Sequence, residues 1–222
     1  MRKTPFAFLA LALTLLLGAC APSASGEDAP PRGEGYDFLV LALTWSPSYC
    51  QIEGEEANRQ QCGEGRNLGF VVHGLWPQFE KGWPEYCHGD GPNRVPNALV
   101  RQYLDIMPSA GLMGHQWRKH GACTGLNQND YFRLVRAARE RVAVPDRFEA
   151  FADDLSISPD KVEAEFIAAN PGMRRDGVAV SCDRRHLSEV RICLSNDLEF
   201  RSCREIDARG CRLPQAGMPA PG

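Results

Sequence analysis

No charge of one sign dominates this chain: 25 Lys and Arg stand against 28 Asp and Glu, a net charge of −3, with a sequence pI near 6.0. That balance excludes a partner held mainly by phosphate neutralisation, as a structural DNA binder would be. Any nucleic acid must be met at a local site. No Cys-x-x-Cys pair occurs among the nine cysteines, and the closest two are Cys203 and Cys211, so no zinc site is expected. There is no Walker loop and no Gly-x-Ser-x-Gly elbow, and Gly63-x-Gly65 lacks the spacing of a phosphate-binding fingerprint. Nucleotide cofactors and esterase chemistry drop out, and no cofactor is expected. Internal repeats are missing, and so is any long apolar run beyond the first twenty residues.

The one apolar run, Phe6 to Gly18, follows the cationic start Met1, Arg2 and Lys3. It is short for a membrane span and right for a signal-peptide core, so export is expected. The run ends Leu17-Gly18-Ala19-Cys20, which resembles a bacterial lipoprotein processing site, where cleavage precedes a diacylglyceryl-modified cysteine. Residues 1–19 are therefore expected to be a signal peptide and Cys20 a lipidated residue. The cell envelope or periplasm is the expected location. Ordinary cleavage nearby, giving a secreted soluble protein, is the alternative. Residues 20–35, rich in Pro, Ser and Gly, suit a flexible tether, and 36–222 a single folded domain. A domain of that size buries roughly 70% of its unfolded surface. The other eight cysteines, Cys50, Cys62, Cys87, Cys123, Cys182, Cys193, Cys203 and Cys211, are an even number in an exported chain. They read as four disulfides, with on the order of a hundred pairings open.

Phe38 to Trp45 is apolar on both alternations and predicts a buried central strand. Asn67 to His73 predicts a second strand, ended by Gly74 and by Trp76-Pro77, with His73 at its terminus. Helices are predicted over Asn97 to Met107, Leu112 to Cys123, Asp130 to Val142 and Pro159 to Ala169, the last opened by a Ser158-Pro159 cap. The tail offers short strands in VAVSC, EVRIC and LEFRS, between Val178 and Ser202. Because strands and helices do not alternate regularly, an α+β class with a mostly antiparallel central sheet is expected.

Three of the five histidines stand in notable company. His73 opens His-Gly-Leu-Trp-Pro, and His115 and His120 bracket Gln116, Trp117, Arg118 and Lys119. On a continuous helix His115, Gln116, Lys119 and His120 share an arc of about 140°, with Trp117 turned away toward the core. Two imidazoles, an ammonium and an amide without a carboxylate do not make a zinc site. They suit an anion whose charge grows during reaction. Imidazole donates and accepts protons near neutral pH, and a lysine adds fixed positive charge. A phosphodiester beside a hydroxyl needs one base, one acid and a cation. A solvated basic face plus a core histidine is the plain structural alternative.

These two segments resemble the active-site segments of the ribonuclease T2 family, the secreted, acid-tolerant, base-nonspecific endoribonucleases. His73-Gly74-Leu75-Trp76-Pro77 matches the first in full, and His115, Trp117, Lys119, His120, Gly121 and Cys123 match the second. Trp45, Pro47 and Cys50 resemble the family's first strand and turn. The resemblance implies metal-free cleavage of single-stranded RNA by its own 2′-hydroxyl, through a 2′,3′-cyclic phosphate to a 3′-phosphate. DNA, which lacks that hydroxyl, is spared. It further implies His73 and His120 as the acid–base pair, with the direction left open and assigned as His120 general base and His73 general acid, His115 on the phosphate, Lys119 on the transition state, and Trp76 as a base-stacking platform. The expected partner is RNA alone, bound by a monomer that meets a membrane only through Cys20.

Three positions depart from the family, Ala122 in the second segment among them. Gln116 stands where it usually has Glu, and Gln78 where an acidic residue often follows the Trp-Pro. Gln116 is still counted with the catalytic group, since an amide donates at any pH, and Gln78 with the base-binding residues. A catalytically weak RNA-binding or toxin-like module of the same fold is the alternative function; it predicts a broken histidine pair, which is not seen. An envelope structural protein would be preferred only if His73 and His120 lay far apart. Among the cysteines, Cys87 with Cys123 would tie the His115–His120 segment to the loop after His73. Cys50 with Cys62 is local, and Cys182 with Cys211 and Cys193 with Cys203 would nest in the tail.

Overall fold

Apolar residues on both alternations suit Phe38–Trp45 (β1) to the inside of a sheet, and a computed structural model, which describes residues 29–88 and 91–221, places it there. After it come α1 (Ser46–Glu53), α2 (Arg59–Cys62), β2 (Phe70–Gln78), α3 (Asn97–Arg101), α4 (Ala110–Lys119) and α5 (Gln128–Glu140). The second half holds β3 (Leu155–Ile157), α6 (Pro159–Ala169), β4 (Val178–Cys182), β5 (Leu187–Leu194), α7 (Arg204–Ala208) and β6 (Ala216–Met218). The main sheet is antiparallel in the order β2-β1-β5-β4, and β3 pairs with β6 in a small second sheet. The class is α+β, as the irregular order of elements implied. No described helix is long and apolar enough to cross a membrane. The expected signal peptide and Cys20 lie outside the described residues.

The two faces of the sheet have different tasks. Leu39, Leu41, Leu43 and Trp45 join Val72, Leu75, Val190 and Ile192 in the main core beneath α4, α5 and α6. Phe38 and Val40 face the other way, with Cys193, Ala179 and Ile206 of α7, and Trp76 packs against that smaller cluster. On this second face β5 carries Arg191 opposite Ala42 and Ala179, and Glu189 opposite Thr44 and Ser181. Small neighbours leave those two long polar side chains room. Four disulfides fix the periphery, Cys50–Cys62, Cys87–Cys123, Cys182–Cys211 and Cys193–Cys203, the pairs expected above.

Several sequence expectations need correction. β2 does not end at His73 but runs to Gln78, because its pairing with β1 continues and Pro77 is tolerated on an edge strand. Its register shifts where Ala42 faces Gly74 and Leu43 faces Val72, which leaves His73 as the extra residue of a bulge. α3 stops at Arg101, and the chain turns through Tyr103 to Met107 before Pro108, which disfavours helix in the residue ahead of it. The helix expected over Leu112–Cys123 starts at Ala110, capped by Ser109, and stops at Lys119. LEFRS is no strand: Leu198 takes a positive φ of 60° in a turn capped by Ser195, and only an isolated Leu194–Phe200 bridge remains. Residues 33–35, assigned to the tether, are docked instead, with Glu34 N–H donating to Thr124 O at 2.9 Å.

Candidate active site

The second face of the sheet, the end of α4 and the loop after β2 enclose a cavity of about 360 Å³. His73, Trp76 and Gln78 of β2 line it, with Glu189 and Arg191 of β5, and His115, Gln116, Lys119 and His120 from α4 and its end. Trp83, Ile206 and Arg209 complete the lining. Every residue that the sequence singled out for chemistry therefore reaches one cavity. A second cavity, about 300 Å³, adjoins it and shares His73 and His115; Thr44, Tyr49, Asn58, Ser109 and Leu112 are among its other walls.

The bulge aims His73 into this space, and its Nδ1 hydrogen-bonds Oε1 of Glu189. Among the described residues no group hydrogen-bonds Nε2. Oε2 of Glu189 accepts from Nε and Nη2 of Arg191, at 2.9 and 2.8 Å. Burial pushes the Glu189 carboxyl up, but the His73 hydrogen bond and charge, then Arg191, outweigh it and hold the group down at about 2. An anion at this point is thus permanent at working pH.

His120 sits in a different medium. It is not on the helix: at the C-cap of α4 its backbone leaves helical geometry, with φ −125° and ψ −46°, while its N–H still donates to Gln116 O at 2.9 Å. Gly121 allows this departure, because a Cβ there would overlap the rings of Trp117 and Tyr131. The imidazole is 6% exposed, and its Nδ1 is buried without a partner among the described residues. Burial, then the charges of Lys119, His73 and His115, lower its pKa to about 3. His120 is consequently a neutral imidazole. Exposed His115 is pulled down less, again by burial first and then by Lys119, Arg118 and His73. Lys119 pairs with Glu85 at 3.6 Å, in the loop that Cys87–Cys123 ties to the end of α4.

Trp76 stands between the two imidazoles, its ring centroid 5.4 Å from each, edge-on to His73 and tilted against His120. Its indole N–H donates to Gln116 Oε1 at 2.8 Å. Indole only donates, so the amide oxygen must face it and the NH₂ is turned away. The shared helical face inferred for Gln116 and His120 is thereby replaced: Gln116 is 1% exposed and is first a clamp on Trp76. Gly74 is part of the same device, since a Cβ on it would overlap Gln116 Oε1 and Trp76 Nε1. Gln78 is buried in the cavity wall, donating to Pro77 O at 2.8 Å. Trp117 is core, its N–H on Pro92 O at 3.0 Å.

The ribonuclease T2 family model matches residues 36–203. This chain belongs to the ribonuclease T2 family. A ribonuclease of Aeromonas hydrophila is 31% identical over 214 residues, which cover 93% of this chain and 95% of that one. Among solved structures, an RNase-related protein from Calystegia sepium superposes with a TM-score of 0.66 at 18% identity, over 85% of this chain and all of that one. RNase NT in complex with 5′-AMP gives a TM-score of 0.64 at 18% identity, over 85% of this chain and 99% of that one. At such identity these two show the T2 fold alone.

Glu189, Arg191, Trp83 and Arg209 were missed by sequence reasoning. The signal for the first two was present: a Glu and an Arg two apart on one face of LSEVRICL, a strand whose other positions are mostly apolar. A charged pair on the buried alternation of an inner strand has to have a partner.

Proposed function

We propose that this chain is an endoribonuclease that cuts single-stranded RNA with its own histidines, leaving 2′,3′-cyclic phosphate and then 3′-phosphate ends. The carrying observation is one cavity holding two imidazoles in opposite surroundings: His120 buried and neutral, His73 hydrogen-bonded to a permanent carboxylate. Neutral His120 takes the proton of the 2′-hydroxyl as its oxygen attacks phosphorus. His73 gives a proton from Nε2 to the departing 5′-oxygen. Water then replaces the 5′-oxygen, with the two roles exchanged, and opens the cyclic phosphate. His115 and Lys119 line the same space and meet the phosphorane charge. Trp76 offers a stacking face for one base and Gln78 an amide edge. The adjoining cavity beyond His73 and His115 takes the nucleoside on the other side of the scissile bond.

An oxidising, extracytoplasmic setting is supported by the four disulfides, and attachment to the envelope through Cys20 belongs to the same reading. Membrane fractionation of Cys20→Ala tests the anchor; a variant still retained with the membranes would remove it. For the chemistry, the oxidised protein is incubated with RNA and with single-stranded DNA in chelator, and the product ends are identified. Cyclic or 3′-phosphate ends on RNA, with DNA intact, are expected. Cutting lost in chelator, or 5′-phosphate ends, would overturn the two-histidine reaction. His73→Ala and His120→Ala should each lower the rate by at least about 10²-fold.

A further inference from the structure

Glu189 is the one acidic side chain lining the main cavity, and among the described residues it is the one carboxylate in contact with His73. At 7% exposure it would be costly unless its oxygens were used. Their use is uneven. Oε2 is taken by both Arg191 donors and faces Ser181 Oγ at 3.4 Å, whereas among the described residues Oε1 has His73 alone. Arg191 is itself held, its guanidinium 5.4 Å over the Trp76 ring. The carboxylate thus rides on an inner strand, clamped on one oxygen and aimed at the imidazole with the other.

We propose that Glu189 is a positioning residue for the reaction: its carboxylate accepts the Nδ1–H of His73 and holds the ring so that, as an imidazolium, it gives its second proton from Nε2 to the leaving oxygen. The proposal rests on the reading of His73 as general acid. Around that ring stand Arg191 from β5, His115 and Lys119 from α4, and His120 past its end, all cationic or able to become so. Glu189 is the counter-charge among them. Gln116 supplies none from the helix, so the negative charge that sustains an imidazolium comes from the sheet side.

Glu189→Gln keeps the shape and removes the charge. Arg191 presents two donors and retains the amide oxygen, so the new NH₂ turns to His73 and requires an acceptor at Nδ1. That is the wrong proton pattern for an imidazolium. The expected result is a kcat reduced about 10²- to 10⁴-fold, the order seen when such a carboxylate becomes an amide, with KM changed less than about threefold. The alkaline limb of the pH–rate profile should also move to lower pH. Glu189→Asp, which restores charge at shorter reach, should recover part of the rate. In the wild-type protein, ¹⁵N NMR should show neutral His73 carrying its proton on Nδ1, a readout that survives if the variant fails to fold. A wild-type Nε2–H tautomer, or a folded Glu189→Gln protein with unchanged kcat and pH profile, would overturn the role of Glu189. Wild-type protein that leaves RNA intact would instead sink the function, whatever the tautomer.

Discussion

Replacing Gln116 separates its structural from its chemical duty. Gln116→Ala deletes the acceptor for the Trp76 N–H, a bond of 2.8 Å beside an open cavity, so water can reach the indole and no dry void is left. The lost hydrogen bond costs about 1 kcal/mol, and the one methylene that alanine lacks about 0.8 kcal/mol, together roughly 2 kcal/mol. For a domain of this size that lowers Tm by roughly 4–8 °C. Trp76 also spaces both imidazoles, and a small displacement of reacting groups costs up to about 10²-fold, so kcat should fall by about one to two orders of magnitude. Gln116→Glu behaves differently. A carboxylate accepts from the indole equally well, so Tm at neutral pH should stay close to wild type and the best rate within about tenfold. Its charge, however, lies beside Lys119 and His120 and counteracts the burial and cations that hold His120 near 3, so the acid limb of the profile should move to higher pH. Thermal unfolding by circular dichroism, and dinucleotide cleavage from pH 3 to 8, read both effects. An alanine variant with wild-type Tm and kcat would refute the clamp, and a glutamate variant with an unmoved acid limb would refute the electrostatic argument.

His120 also sets a stability profile: its folded pKa of about 3 lies below the ordinary 6.5, so the unfolded chain binds the extra proton between these values. Stability is full above about pH 6.5 and declines as pH falls toward 3; Glu189, depressed from 4.5 to about 2, adds a loss in the same direction at lower pH. His120→Asn should abolish cleavage yet flatten the unfolding free energy between pH 6.5 and 4, and a denaturant series showing the wild-type slope in that variant would contradict this. The Cys87–Cys123 bridge closes a separation of 36 residues, worth about 4 kcal/mol by loop entropy, and ties the loop carrying Glu85 to the end of α4. Its double serine variant should unfold at least about 8 °C earlier and lose more activity than the Cys50–Cys62 variant, and equal losses would show that the site does not depend on that tie.

By itself the sequence determined much of this protein. The span of β1 follows from continuous apolar residues that only an inner strand can bury, α6 from the Ser158-Pro159 cap, and the class from irregular alternation. The residue types of the site were also legible, because proton transfer at a phosphodiester demands imidazoles and a cation, and these stand in two short segments. What the sequence could not show was any feature that depends on pairing across the sheet. Pro77 and Gly74 read locally as a strand end, yet hydrogen bonding to β1 carries β2 through both, and the one-residue slip opposite Ala42 and Leu43 turns His73 into the cavity. Helical periodicity placed Gln116 and His120 on a shared face, but the helix ends at Lys119, the backbone leaves helical geometry at His120, and the imidazole is buried. Glu189 is 116 residues from His73, and a strand reads only its own alternation. Tertiary structure alone brought that carboxylate to the histidine, because register, not local propensity, decides which side chains of neighbouring strands meet.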